Sequence, residues 1–161
     1  MGSFDFLPER LIDVEIALSK MYHHFSASFP ESADFWNQMA SEEEEHSRWV
    51  GESLEMLKKG PIRAGKTAPT GQAVDTVIKH VDSICAKCAR GEISILNAYA
   101  HAYDLENSLL EKKFFSLVGS QLPPYGEVGS KLFQATQAHR QRIGEALKRI
   151  KSGKKGPAFP A

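Results

Sequence analysis

A glutamate and a histidine interrupt the apolar face of a long predicted helix. Residues at steps of three and four form this face, and Glu43 and His46 both belong to it. Side chains three residues apart on a helix can bind the same metal ion. Burying a bare carboxylate costs several kcal/mol unless a partner compensates it, so the fold must neutralise this pair. The whole face comprises Trp36, Met39, Glu43, His46, Val50, Ser53 and Leu57.

The apolar periodicity predicts four long helices and one short helix. The long helices cover about residues 8–28, 32–59, 92–118 and 129–151, and the short one covers about 72–88. We expect a loop at 60–71, a turn at 119–129 and a disordered tail at 152–161. Two short links and one long link predict an all-α four-helix bundle, formed by residues 1–151 as one domain. The short helix then lies in a long crossover between the second and third long helices.

Composition narrows the class of protein. The 161 residues are 25% charged and 42% apolar, which is ordinary for a soluble globular domain. A formal net charge of zero argues against nucleic-acid binding. The sequence has no run of 18 apolar residues and no recognisable signal peptide, so we expect a cytoplasmic protein without membrane contact.

The two halves of the chain repeat one pattern, a helix with a glutamate in its apolar face followed by a helix with a histidine. Glu15 corresponds to Glu106 at an offset of 91 residues, and His46 corresponds to His139 at an offset of 93. In a bundle, these polar positions could meet at one level of the core. At the same offset of 93, Glu43 corresponds to Thr136.

These segments resemble the ferritin-like di-iron carboxylate superfamily, and most closely its rubrerythrin-like branch. The resemblance covers about residues 8–151 and implies a ferritin-like bundle, in which two helices each supply a Glu and two each supply Glu-x-x-His. By that resemblance, Glu15 is a terminal ligand, Glu43 a bridging carboxylate and His46 the nitrogen ligand of a first metal, while Glu106 and His139 serve a second. It is carried by Val14-Glu15-Ile16-Ala17 leading to Tyr22, by Phe35 through His46, and by Ala102-Tyr103-Asp104-Leu105-Glu106.

The chain departs from the family pattern at Thr136, where a second bridging glutamate is expected. Three carboxylates against two divalent ions leave one excess positive charge, so we expect the second ion to bind more weakly or with an added anion. Iron is the metal that the resemblance implies, and manganese and zinc also suit mixed oxygen and nitrogen ligands.

The resemblance implies a metal-binding protein that could act as an oxidoreductase on dioxygen or peroxide. It would take electrons from an external donor, and we expect a homodimer. Two alternatives stay open at this point. One is a degenerate bundle that serves as an interaction or dimerisation module, which Thr136 favours. The other is iron storage in a closed multimeric shell.

Several further residues have a simpler interpretation. We expect Glu42, Glu44 and Glu45 to be surface residues, and the same holds for His23, His24, His80 and His101. Tyr22 and Tyr99 are interpreted first as core packing residues, and second as hydrogen-bonding groups beside the metal site.

Two further motifs are interpreted as binding neither a nucleotide nor a metal. Residues 60–67 match the letters of a Walker A motif, but a helix precedes them and Pro69 follows, whereas a phosphate loop needs a strand before it and a helix after it. Cys85 and Cys88 form a single pair, and a rubredoxin-type or zinc-ribbon site requires two such pairs. We therefore expect two reduced thiols.

Overall fold

The computed structural model describes residues 9–57, 71–111 and 125–153, and in these ranges the chain is helical, with no strand. The all-α prediction is confirmed for this part of the chain. The loop with the Walker A letters, the end of the third long helix after residue 111 and the tail from residue 154 lie outside the described residues. The helices are α1 (Glu9–Ser28), α2 (Ala33–Leu57), α3 (Gly71–Ala89), α4 (Ile95–Glu111) and α5 (Tyr125–Lys151), and a 3₁₀ turn at Pro30–Ser32 joins α1 to α2.

Two helix starts differ from the prediction. Helix α4 begins at Ile95, three residues late, because Ser94 caps it: the Ser94 Oγ accepts the backbone N–H of Asn97 at 3.1 Å. Helix α5 begins at Tyr125, so the turn predicted to continue to residue 129 is wrong over 125–129. Gly129 and the pair Pro123-Pro124 suggested that turn, but a glycine inside a helix costs only about 1 kcal/mol relative to alanine.

The connection from α3 to α4 is a glycine-terminated turn. Gly91 has a φ of 72°, which a residue without a Cβ adopts at little cost. Its N–H donates to the Cys88 carbonyl at 3.0 Å, and the N–H of Glu92 donates to the Lys87 carbonyl at 2.9 Å. These two bonds form a Schellman motif, which ends α3 and lets α4 start within a few residues.

Contacts between helices give the direction of each one. Helices α1 and α2 are antiparallel, because Glu15 faces His46 while Ser19, one turn later, bonds Glu44. Helices α2 and α5 are also antiparallel, since Glu42 pairs with Arg142 and Trp49 lies under Lys131.

Helix α4 is antiparallel to α5 and therefore parallel to α2. Asn107 accepts a bond from Arg140, and the Tyr103 ring lies against Gly144, where a Cβ would be 3.1 Å away. Helix α3 runs parallel to α1, because Arg10 pairs with Asp75 near one end and Ser28 contacts Cys88 near the other. Helix α3 thus carries the chain back along the molecule, so that α4 starts at the same end as α2.

The buried faces of the five helices form one core. Helix α3 belongs to this core, since four of its apolar side chains are at most 5% exposed: Val74, Val77, Val81 and Ile84. An aromatic cluster from α1, α2 and α4 fills one end, with Tyr22 and Trp36 ring centroids 5.6 Å apart and Trp36 and Tyr99 centroids 4.5 Å apart. The apolar face predicted for α2 is buried from Trp36 to Val50, and the side chains of Ser53 and Leu57 lie outside the described residues. A search of the described helices found none long and apolar enough to span a membrane.

Helix α3 should contribute to stability as a core element and not only as a connection. We expect Ile84→Ala, at a position 2% exposed, to lower the free energy of unfolding by about 2–5 kcal/mol, because it removes a packed side chain and leaves a cavity. Leu96→Ala, at a position 39% exposed, should change it by less than about 0.5 kcal/mol. Urea unfolding measures both values, and similar losses in the two variants would contradict the packing of α3.

Candidate metal centre

Five titratable side chains converge in the core, and they are the five predicted as ligands. They come from four helices: α1 supplies one, α2 supplies two, and α4 and α5 supply one each. Each helix presents its residue on the apolar face that packs inward, which is why the side chains meet. They are Glu15, Glu43, His46, Glu106 and His139, and none is more than 3% exposed.

The Glu43 carboxylate lies at the centre of this cluster. Its Oε2 is 2.9 Å from His46 Nδ1, and its Oε1 is 2.8 Å from His139 Nδ1. The two imidazole rings face each other with centroids 5.2 Å apart and planes inclined by 30°. One carboxylate therefore connects a histidine of its own helix with a histidine of α5.

Each histidine has a second carboxylate beside it. Glu15 Oε2 is 3.8 Å from His46 Nδ1, and Glu106 Oε1 is 3.4 Å from His139 Nδ1. Both imidazoles thus point the same nitrogen, Nδ1, toward two carboxylates. The cluster has two similar halves, Glu15 with His46 and Glu106 with His139, and Glu43 lies between them.

Aromatic side chains enclose the cluster. The Tyr22 hydroxyl donates a 2.5 Å hydrogen bond to Glu106 Oε1, so this tyrosine contacts the site as well as packing in the core. On the opposite side, the Trp49 ring lies 5.1 Å from the His46 ring, and Lys131 Nζ lies 4.6 Å from the Trp49 centroid. Tyr99 instead belongs to the aromatic cluster, and its buried hydroxyl has no hydrogen-bond partner of normal length among the described residues.

Thr136 is buried on the inward face of α5, one turn before His139. This is the position at which Glu43 precedes His46 on α2. Its short neutral side chain supplies no carboxylate there, so the negative charge of the cluster comes from α1, α2 and α4.

Glu42 was expected at the surface, and this expectation is only partly correct. Its side chain is 30% exposed, its Oε2 lies 2.6 Å from His139 Nε2, and Arg142 donates to both of its oxygens. The sequence held one signal for this contact: Arg142 follows His139 by three residues, so one face of α5 carries both groups. Glu44 and Glu45 are exposed, as expected.

Burial and mutual attraction shift the pKa values within the cluster in opposite directions. Burial raises the pKa of Glu15 well above its usual range, and repulsion by Glu43 raises it further. Burial would also raise the pKa of Glu43, but attraction by His139 and a hydrogen bond from Glu15 hold it well below its usual range. Glu43 is therefore the fixed negative charge, and Glu15 is a site of protonation.

The imidazoles respond to these carboxylates. Burial alone would lower the pKa of His46, but hydrogen bonds to Glu15 and Glu43 raise it from 6.5 to about 9. The pKa of His139 is likewise raised well above 6.5 by Glu43, Glu106 and Glu42, against the effect of burial. Protons can thus neutralise the cluster, and a cation would compete with them for the same atoms.

The remaining histidines and the cysteines lie apart from this cluster. His23 and His80 are exposed, as expected, whereas His24 and His101 are half-buried. Cys85 and Cys88 are free thiols on α3. Cys88 Sγ lies 3.2 Å from Ser28 Oγ, and burial raises the pKa of Cys85 to about 11, so neither feature indicates a reactive thiolate.

Comparison with protein-family models, with curated proteins and with solved structures found no match to this chain. Ligand atoms of Glu43, His46 and His139 lie within 4.8 Å of one another, and all three residues are buried. Nitrogen and oxygen donors at such spacing could hold a metal ion.

Because the pKa of His46 is raised, we expect the metal-free protein to be less stable in mild alkali than at neutral pH. Because the folded-state pKa is about 9 and the unfolded one about 6.5, the histidine contributes stability below pH 6.5 that disappears as the pH rises through 9. We expect the free energy of unfolding in a chelator to fall between pH 6.5 and 9.5, measured by urea denaturation. His46→Gln should show a smaller fall, and a wild-type stability that is constant or rises over this range would contradict the assignment.

Proposed function

We propose that this protein is a ferritin-like, rubrerythrin-like metal-binding protein that holds one or two divalent ions in the core of a four-helix bundle. The ligands would be Glu15, Glu43 and His46 for one ion, and Glu43, Glu106 and His139 for the other. The observation that carries this proposal is the position of Glu43, whose two oxygens each lie against the Nδ1 of a different histidine.

The donor set fits a transition metal. Imidazole nitrogen combined with carboxylate oxygen suits iron, manganese or zinc, and the enclosed position limits access of bulk water. The resemblance to di-iron carboxylate proteins favours iron. When bound, iron would supply redox chemistry toward dioxygen or peroxide, with electrons from an external donor. We also propose that the protein is cytoplasmic and forms a homodimer.

The side chains around the cluster would orient and protect its donors. The Tyr22 hydroxyl donates to Glu106 Oε1, the oxygen that also faces His139 Nδ1, and this bond fixes the orientation of the carboxylate. The Trp49 and His139 rings both pack against His46, with centroids 5.1 Å and 5.2 Å from its own. These contacts fix the rings and carboxylates before an ion arrives, which lowers the entropic cost of binding.

The two halves of the site should bind metal unequally. Three carboxylates supply three negative charges against the four positive charges of two divalent ions, and Thr136 adds none. The first ion replaces protons on a cluster that is otherwise neutralised by them. The second ion then enters a site with too few anions, so we expect weaker binding.

Metal binding itself is the first prediction to test. We expect purified protein, offered ferrous or cobaltous ions without oxygen, to bind at least one ion per chain, measured by calorimetry and elemental analysis. Glu43→Gln should weaken binding roughly 100-fold or more, because it removes the shared carboxylate, whereas loss of an outer-shell partner already costs about 10–100-fold.

Glu45→Gln is the matched control, since Glu45 lies on the same helix with its side chain exposed. It should bind metal with the wild-type affinity. A wild-type protein that binds neither ion, or a Glu43→Gln variant indistinguishable from Glu45→Gln, would refute the proposal.

A second candidate function is an interaction or dimerisation module without metal. The observation that favours it is that the histidines and carboxylates already satisfy one another, with Thr136 in place of a further carboxylate. In that case, replacing buried ionic groups by apolar ones should leave stability unchanged or increase it.

Melting curves distinguish the two functions. For a metal site, free ion at 100 times its dissociation constant stabilises the fold by about 2.7 kcal/mol, so a chelator should lower the melting temperature of the loaded protein. A melting temperature that neither ferrous ion nor chelator changes would favour the interaction module.

A further inference from the structure

The outer nitrogen of His139 has a carboxylate partner of its own. His139 Nδ1 faces Glu43 and Glu106 inside the cluster, while its Nε2 lies 2.6 Å from Glu42 Oε2 on the side away from the cluster. His139 is 1% exposed, whereas the Glu42 and Arg142 side chains are 30% and 35% exposed. The contact therefore links the buried ring to the edge of the molecule.

Glu42 is itself held in place. Arg142 donates from Nη1 to Glu42 Oε1 at 3.3 Å and from Nη2 to Oε2. A guanidinium that bonds both oxygens fixes the carboxylate plane as well as its position. These two bonds and the contact with His139 Nε2 place three hydrogen-bond donors around the Glu42 oxygens, an arrangement that favours the ionised carboxylate.

A permanent acceptor at Nε2 decides which nitrogen of a neutral imidazole carries the proton. With Glu42 accepting from Nε2–H, the lone pair lies on Nδ1, the nitrogen that points at Glu43 and Glu106. The opposite tautomer would direct a proton into the cluster and a lone pair at an anionic oxygen. The contact also restricts rotation of the ring.

From this geometry we infer that Glu42 is a positioning residue for His139: its carboxylate, held by Arg142, orients the ring and keeps the Nδ1 lone pair directed at a bound cation. The inference rests on the proposed metal site. His46 has no counterpart of Glu42 among the hydrogen bonds of the described residues, where its Nδ1 contacts are with Glu43 and Glu15. Among the described residues, only the His139 half of the centre then has an orienting carboxylate on its outer nitrogen.

Two variants separate the orienting effect from the effect of charge. Glu42→Gln removes the negative charge but keeps an oxygen that can accept from Nε2–H. Glu42→Leu removes both. Glu45→Gln again serves as the exposed control on the same helix, and circular dichroism verifies the fold of every variant.

Affinity for cobaltous ion, measured by titration, is the first readout. We expect Glu42→Leu to bind about 10–100-fold more weakly than the wild type, and Glu42→Gln to recover most of this loss. The cobalt absorption bands, which report the ligands and their geometry, should shift in Glu42→Leu and match the wild type in Glu42→Gln. Wild-type affinity in Glu42→Leu, or equal losses in the two variants, would overturn the inference.

Nitrogen NMR of the zinc-loaded protein gives a readout that a purely structural role would not change. The wild type should show a slowly exchanging Nε2–H for His139, assigned by its absence in His139→Gln, and this signal should be lost or shifted in Glu42→Leu. A proton on Nδ1 in the wild type would overturn the inference even if metal binds. If the wild type binds no metal at all, the proposed function fails first.

Discussion

The rest of the structure depends on a single carboxylate placed between two imidazoles. The contact of Glu43 with His46 needs only that α2 is helical, because the two residues are three apart. The contact of Glu43 with His139 forms only if α5 packs beside α2 in one register. A shift of α5 by one turn, about 5.4 Å, would separate the pair and leave an uncompensated buried charge. The polar cluster therefore selects one packing among the several that an apolar face alone would accept.

The path of the chain follows from the same requirement. Both histidine-bearing helices, α2 and α5, must present their residues at one level while running in opposite directions. The glutamate-bearing helices α1 and α4 complete the cluster, and α4 is parallel to α2 because it packs antiparallel to α5. A chain can make that connection only by travelling back along the molecule, and α3 does so while packing its apolar face against α1. The crossover is thus part of the core.

Much of this was predictable because helical periodicity is a local property of sequence. Glu15, Glu106 and His139 stand in apolar faces, and an inward position for a titratable group indicates convergence wherever the helices meet. Glu42 was missed because its neighbour Glu43 already occupies the inward position, and the angle at which α5 crosses α2 decides whether the adjacent residue is covered. The start of α5 was missed because Gly129, shortly after Pro123-Pro124, resembles a turn locally, although a helix tolerates a glycine at modest cost.

Protons and cations are alternative solutions to the same electrostatic problem. When protons neutralise the cluster, the imidazoles carry positive charge and Glu15 is neutral. The pKa values of these groups are then raised well above their usual ranges. Each raised pKa means that the folded protein binds that proton more tightly at neutral pH. A divalent ion must displace these protons to bind. Affinity should consequently rise with pH, until the imidazoles no longer hold protons. Glu42 remains outside this exchange, because its charge is fixed by Arg142, and it can hold His139 in the same orientation whichever cation the centre contains.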